Sequence, residues 1–278
     1  MSTMTRIATN VNALKSLDAL NRVNADLSTR QLRLATGQRI NSAKEDSAGW
    51  VIGKGLDARS KGLAQALNNV GDAQSLLGVA EGSLQSILDI LTTMKVKVTQ
   101  AASDTLGVNE RNAIKSQLND FAAEIDAIVT GCSFNGIKLL DGSFSNKAFQ
   151  IGSETTDTMT VSMSQNNSAA SLSVDSATMT VDSAAAASVS LSKVNAAIAT
   201  INSGIGAVGS LAARLDFKTQ ALSSMISNTE AAKSQVLDAD LAQEQLAAVK
   251  LQILQQTATA ALAQANSAPQ SVMQLFKG

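Results

Sequence analysis

The sequence predicts a mostly α protein: a long antiparallel coiled-coil or helical bundle with a short β-hairpin region, and terminal helices that pair on assembly. Three observations predict it. Apolar residues recur at helical spacing over both halves of the chain. Pro269 is the one proline in 278 residues, so long helices can run without a break. Hydrophobic residues reach 45% while aromatics are 3%, which leaves mainly Ala, Leu, Val and Ile for close helix packing.

Residues 4 to 35 read as a first helix, with Ile7, Val11, Leu14, Leu17, Leu20, Val23, Leu27 and Leu34 on a broad apolar stripe. The stretch 36 to 55 is richer in Gly, Asn and Ser and reads as an ordered connector. A heptad follows: Leu56, Leu63, Val70, Leu77, Leu84, Leu91 and Val98, with Ala66, Ala73, Ala80, Ile87, Met94 and Ala101 three residues behind. An isolated helix drifts about 20° per heptad, so a stripe this regular over roughly 60 Å implies left-handed packing against other helices. A turn at Gly107 to Asn109 opens a third helix carrying Ile114, Leu118, Phe121, Ile125 and Ile128 and ending at Gly131.

The pattern then changes period. Phe149 and Ile151, and Met159, Val161 and Met163, alternate with polar neighbours, as in a short hairpin or two. Residues 153 to 192 are dominated by Ser, Thr and Ala and predict an exposed segment with few groups to anchor a core. Helical spacing resumes near 188 and runs to about 236 through Val208, Leu211, Leu215, Leu222, Met225 and Val236, interrupted by Lys218 and Thr229. This helix is expected beside the heptad helix. A last helix spans roughly 240 to 275, with Asp238, Asp240 and Glu244 where acids favour its positive end. The expected organisation is terminal helices at 1–35 and 240–278, a connector at 36–55, a helical bundle from 56–142 and 188–239, and an exposed, variable, β-containing segment at 143–187. The terminal stripes have no core of their own, so they predict a subunit made to assemble.

The chemistry is sparse. The chain has no histidine, which excludes Ser-His-Asp and Cys-His nucleophilic sites, His-containing zinc sites and the HExxH motif. Gly49, Gly53 and Lys54 depart from a phosphate-binding loop, with three residues between the glycines and Gly55 where a metal-binding Ser or Thr belongs. Asp238, Asp240 and Glu244 could hold a hard cation, but the helix start explains them more simply. Lys44, Glu45 and Asp46 read as a local charge pair. With a net charge of -1 and scattered Lys and Arg, no basic face gathers phosphates, and no aromatic platform stacks bases. Cys132 is the only cysteine, so no intramolecular disulfide forms. No membrane span is expected: the longest uncharged stretch, Leu251 to Phe276, is rich in Gln, Asn, Ser and Thr. Met1 to Asn10 lacks a hydrophobic signal core, which predicts export, if any, without a cleaved signal peptide. Ser and Thr of 153 to 192 could carry O-linked sugars.

Three strings are distinctive: LATGQRINSAKEDSAG at 34 to 49, FNGIKLLDG at 134 to 142, and VLDADLAQEQLAAVKLQILQQTATAALAQANSAPQSVMQLF at 236 to 276. Together they closely resemble bacterial flagellin, over roughly residues 1 to 142 and 190 to 278. The short interval between these regions resembles a small flagellin without large outer domains. The resemblance implies terminal helices paired in an inner tube around a narrow export channel, with the remaining long helices in an outer bundle. It implies a mechanical role without catalysis or cofactor: many copies, with or without sister flagellins, form the extracellular flagellar filament. It further implies export unfolded through the flagellar secretion apparatus with an export chaperone, folding under a cap protein, and junction proteins as neighbours, with neither nucleic acid nor membrane as partner. On this reading Val11, Leu14, Leu27, Leu34, Leu246, Val249, Ile253, Leu254, Leu262, Leu275 and Phe276 carry the inner contacts. Some flagellins engage an innate immune receptor through an arginine in the second long helix; Thr93 stands at the aligned place, which argues against that recognition. Trp50 beside the connector motif is unusual and is expected to pack between inner and outer layers.

Two other classes compete. A hook-filament junction protein shares terminal helices of this type but would keep less of the FNGIKLLDG and LAQAN strings. A secreted helical adhesin or translocator would use amphipathic helices on membranes, yet Leu251 to Phe276 lacks the Lys and Arg such helices carry on their polar face.

Overall fold

The computed structural model describes residues 9–275, with side-chain surroundings through residue 267. Among these, five helices run in the order α1 (Val11–Thr36), α2 (Ser47–Ala101), α3 (Val108–Gly131), α4 (Ala184–Leu237) and α5 (Leu241–Leu275). Two antiparallel hairpins, β1 (Ser133–Phe134) with β2 (Ile137–Lys138) and β3 (Phe144–Gln150) with β4 (Thr158–Met163), lie between α3 and α4. The chain divides into two compact units, one from residues 1–58 and 228–278 and one from 59–227.

Residues 59–227 hold the larger core. Every heptad residue expected of α2 from Leu63 onward is buried, and Val70, Ala73, Ala80, Ile87, Leu91, Met94, Val98 and Ala101 are fully so. α4 runs antiparallel beside α2, with Gln74 donating to Asp216 at 2.7 Å and Leu84 lying next to Gly204. It contributes Val194, Ala197, Ile201, Val208, Leu215 and Leu222. α4 also contains an 18-residue window of mean hydropathy 1.4, long and apolar enough by composition to cross a membrane. The sequence reading expects no membrane span anywhere in the chain. α3 closes the bundle with Ile114, Leu118, Ala122, Ile125 and Val129. Its Arg111 is buried and donates to the carbonyls of Ala101 and Ser103, satisfying the last turn of α2.

Two helix starts differ from the sequence reading, and one hairpin is added to it. Helix α2 begins at Ser47, inside the expected connector, because the Asp46 carboxylate accepts from the Gly49 N–H at 2.9 Å and caps the helix. Helix α4 begins at Ala184 rather than near 188, because the Ser183 hydroxyl accepts from Ala186 N–H at 3.1 Å. The β1–β2 hairpin turns on Asn135 and Gly136, with φ of 49° and 78°, the Asn-Gly pair that a two-residue turn of this hand requires.

The segment 143–187 is not the exposed, coreless stretch expected. Phe144, Val161, Ala169, Val174, Met179 and Val181 are 1% exposed or less. Small apolar residues suffice here because side chains satisfy the irregular backbone. Asp126 accepts from Ala169 N–H at 2.8 Å, Lys193 donates to Thr178 O at 2.5 Å, and Ser190 bonds both the N–H and the carbonyl of Thr180.

Candidate assembly interface on the terminal helix pair

In the unit formed by residues 1–58 and 228–278, α1 and α5 lie antiparallel. Asn10 caps α1 by accepting from Ala13 N–H at 3.0 Å, and its amide donates to Ala265 O at 2.7 Å. Gln255 donates to Asn24 at 2.7 Å. At the other end Glu244 receives Arg30 on both carboxylate oxygens, at 2.9 and 2.8 Å, and Arg33 at 3.3 Å. Arg33 also lies 3.8 Å from Glu45.

Glu244 is 7% exposed. Burial pushes its carboxyl up, but the hydrogen bonds and charges of Arg30 and Arg33 outweigh that and hold it below the usual value. The sequence reading gave Glu244 a helix-start role, with a hard-cation site as the rival. The structure leaves the helix-start role to Asp240, which accepts from Ala242 and Gln243 N–H at 3.0 and 3.2 Å. The missed signal was a pair of arginines three residues apart on one face of α1. These ties pair the terminal helices within one chain, a pairing the sequence reading placed at assembly.

Next to this pair, Gly37 ends α1 in the left-handed region at φ 69°. The segment after it bridges to the α4–α5 link: Arg39 N–H donates to Leu237 O at 2.6 Å and Ala239 N–H to Gly37 O at 2.9 Å. Gly53 packs so closely on Leu237 that a Cβ would fall 2.5 Å from its side chain, and a Cβ on Gly49 would fall 2.6 Å from Ile40. The glycines that superficially suggested a phosphate loop serve close packing. Trp50 lies beside Lys54, whose Nζ is 4.6 Å from the ring centroid.

Two helices cannot cover each other's apolar area. Of the sequence-predicted contact residues, Leu27 is buried, and Val11, Leu34 and Leu262 are half-buried. Leu14, Leu246, Val249, Ile253 and Leu254 are exposed, with Leu246 at 73% and Ile253 at 58%. Leu275 and Phe276 lie outside the residues whose side chains are described. Leu17, Leu32 and Leu241, which the reading did not single out as contacts, are also exposed. A unit that leaves this many large aliphatic side chains in water carries an interaction surface. Among the described residues no cluster of acids and Cys could hold a metal ion.

Comparison with known proteins bears on what that surface is. Residues 7–145 match the family described as bacterial flagellin N-terminal helical region, and residues 191–276 match bacterial flagellin C-terminal helical region. Flagellin B of Helicobacter pylori strain J99 is 39% identical over 163 residues, 59% of this chain and 32% of that protein. Flagellin A of Vibrio cholerae serotype O1 is 39% identical over 147 residues, 53% of this chain and 39% of the relative. The chain thus spans about a third of the length of the relatives it matches. The crystal structure of Bacillus cereus flagellin superposes with a TM-score of 0.50 at 30% identity, over 60% of this chain and 94% of that one. A putative flagellar hook-associated protein from Vibrio parahaemolyticus shares the fold, with a TM-score of 0.59 at 15% identity over 70% of this chain and 100% of that one. With one family match covering half of the sequence and its C-terminal counterpart most of the rest, the chain belongs to the bacterial flagellin family.

Proposed function

We propose that this chain is a structural subunit, not an enzyme, that polymerises into the extracellular helical filament of the bacterial flagellum and transmits torque for swimming. The observation that carries this reading is the row of exposed aliphatic side chains on the α1–α5 pair, Leu14, Leu246, Val249, Ile253 and Leu254 among them. Neighbouring copies cover them, each contributing roughly 1.5–3 kcal/mol where burial is complete. On this reading the terminal pair forms the inner layer of the filament and residues 56–142 and 188–239 the outer bundle. A contact that repeats head to tail without closing gives a filament instead of a ring.

The finer partners belong to the same proposal: sister flagellins, cap and junction proteins, an export chaperone and the flagellar secretion apparatus, with export independent of a cleaved signal peptide. The subunit needs no cofactor. O-linked sugars attach, if anywhere, to exposed hydroxyls of the 153–192 segment, such as Thr160 and Ser162. Thr93 is exposed and bonded to its own helix at Asp89 O, and it does not serve the immune receptor as an arginine would.

The test is growth from short filament seeds in a precipitating salt, followed by electron microscopy with a seedless control. Long uniform filaments are expected. Persistent monomers would overturn the reading in favour of a junction protein.

A further inference from the structure

A cavity of about 200 Å³ lies in the 59–227 unit where α2, α4 and the end of β4 meet. Its walls are aliphatic: Leu84 from α2, Leu140 from the segment after β2, Met163 from β4, and Val208 and Leu211 from α4. None of its described lining residues is charged. The grooves beside Ile151 differ, since they mix Arg59, Arg214 and Lys218 with Glu154 and Asp157. Gly204 leaves the cavity its room. A Cβ there would meet Leu84 Cδ1 at 3.8 Å and Gln165 Oε1 at 3.9 Å, ordinary contact distances, so packing does not demand a glycine as it does at Gly53, and glycine is the poorer helix former.

One polar residue of the lining is buried. Asn167 is 4% exposed. Its N–H donates to Leu140 O at 3.0 Å and its side-chain amide to Gln165 O at 3.1 Å, while its Oδ1 is buried without a donor among the described residues. Buried acceptors are paired in nearly all folded proteins, so this one favours a molecule that brings an N–H or O–H. Water alone is a poor fit: one molecule takes about 30 Å³, and the aliphatic walls offer it few partners. The site is also built in advance. The Asp141–Asn166 bridge and the tie of Asn167 to the Leu140 carbonyl hold the wall in place, so little order is lost on binding.

We propose that this cavity binds a small neutral organic molecule of about six to ten non-hydrogen atoms, apolar except for one hydroxyl or ring N–H that donates to Asn167 Oδ1. Volume sets the size, since an apolar cavity of about 150 Å³ takes up benzene. The uncharged lining selects a neutral ligand, because a charged one would lose its hydration without gaining a partner. The buried acceptor selects a donor. Ser162, Ser164 and Ala207 are exposed and mark the side open to solvent. The site lies wholly within the 59–227 unit, so the inference goes beyond the filament reading and stands or falls without it.

The test is methyl NMR of the full, unpolymerised chain labelled at methionine, with the Met163 signal assigned by Met163→Leu. Phenol is one probe, and toluene, of equal size without the donor, is the other. Phenol should move the Met163 signal saturably, with a Kd of about 1 mM or below, and should bind at least as tightly as toluene; a cavity without an acceptor would favour toluene about tenfold or more. Gly204→Leu, which fills the cavity, should abolish the shift with helix content unchanged. Gly204→Ala, which adds only a Cβ at ordinary contact distance, should weaken binding severalfold and serves as the test if the leucine variant does not fold. A Met163 signal that neither probe moves overturns the site, as does binding that survives Gly204→Leu or an affinity that Gly204→Ala leaves unchanged. Preference for toluene would mean an apolar void and overturn the assignment of a donor to Asn167. Shifts that rise without saturation across all the methionines would mean a solvent effect only, and overturn the site as well.

Discussion

Replacing Ile253 by Asp separates folding from assembly. Ile253 is 58% exposed on α5, so the isolated chain should tolerate a carboxylate there with little change in helix content, because the side chain already meets water. On the proposed reading a neighbouring copy covers the same position in the filament. The lost apolar burial, scaled by the exposed fraction, is about 1–2 kcal/mol. Leaving a carboxylate unpaired in an apolar contact adds about 2 kcal/mol or more. The sum of about 3–4 kcal/mol raises the critical concentration by a few hundredfold, enough to abolish growth at ordinary subunit concentrations. The assay is seeded growth read by sedimentation and electron microscopy, beside circular dichroism of the unpolymerised chain. Normal filaments at the usual concentration would refute the assignment of this face to the interface. Loss of helix in the monomer would refute the claim that the residue is free of the folded unit.

Three further outcomes follow from the same unit. The folded Glu244 carboxyl titrates below its unfolded value near 4.5, so its tie to Arg30 and Arg33 stabilises the helix pair above that pH and is lost as pH falls through the lower folded value. Protection factors of α5 amides, corrected for the intrinsic pH dependence of exchange, should therefore be lower at pH 3 than at pH 6, and Glu244→Gln should remove most of that difference; the same loss of protection in both proteins would contradict it. Gly53→Ala puts a Cβ 2.5 Å from the buried Leu237 side chain and should destabilise the terminal unit by about 1–3 kcal/mol, with Leu237→Ala relieving the clash. Trp50 is the only tryptophan and there is no tyrosine, so its fluorescence reports the terminal unit alone. Denaturant titration should give a fluorescence transition before the main loss of helical circular dichroism, since the core is concentrated in residues 63–222. Coincident transitions would mean that the two units unfold as one.

The helices were legible because their periodicity is a property of burial. The α2 heptad named its buried face residue by residue, since a stripe regular enough to require left-handed packing has one way to be covered. The two helix starts that were misplaced turned on single caps, Asp46 and Ser183. Such a residue is worth about 1 kcal/mol and leaves no periodic trace. The Asn135–Gly136 turn was there to be read from its dipeptide. The core of 143–187 was not, because Ala169, Val174 and Val181 are small and irregularly spaced, and what fixes them is backbone satisfaction by Asp126, Ser190 and Lys193 from other parts of the chain.

The proposed interface residues were legible only by type. A helix periodicity marks apolar positions without saying whether the same chain or another covers them, and α1 and α5 show both cases. Leu27 and Ala248 are buried between the pair, while Leu246 and Ile253 a few residues away are left in water. What divides them is the face of α5 on which they lie: Glu244 and Ala248, four residues apart, share the buried face. Glu244 is pinned between Arg30 and Arg33 at the end of the pair, and an ion pair between helices 211 to 214 residues apart in sequence has no local signature. Once that contact fixes the rotation of α5, Leu246 and Ile253 must point away from α1. The polar network inside the unit therefore selects the apolar face that, on the proposed reading, neighbouring copies meet.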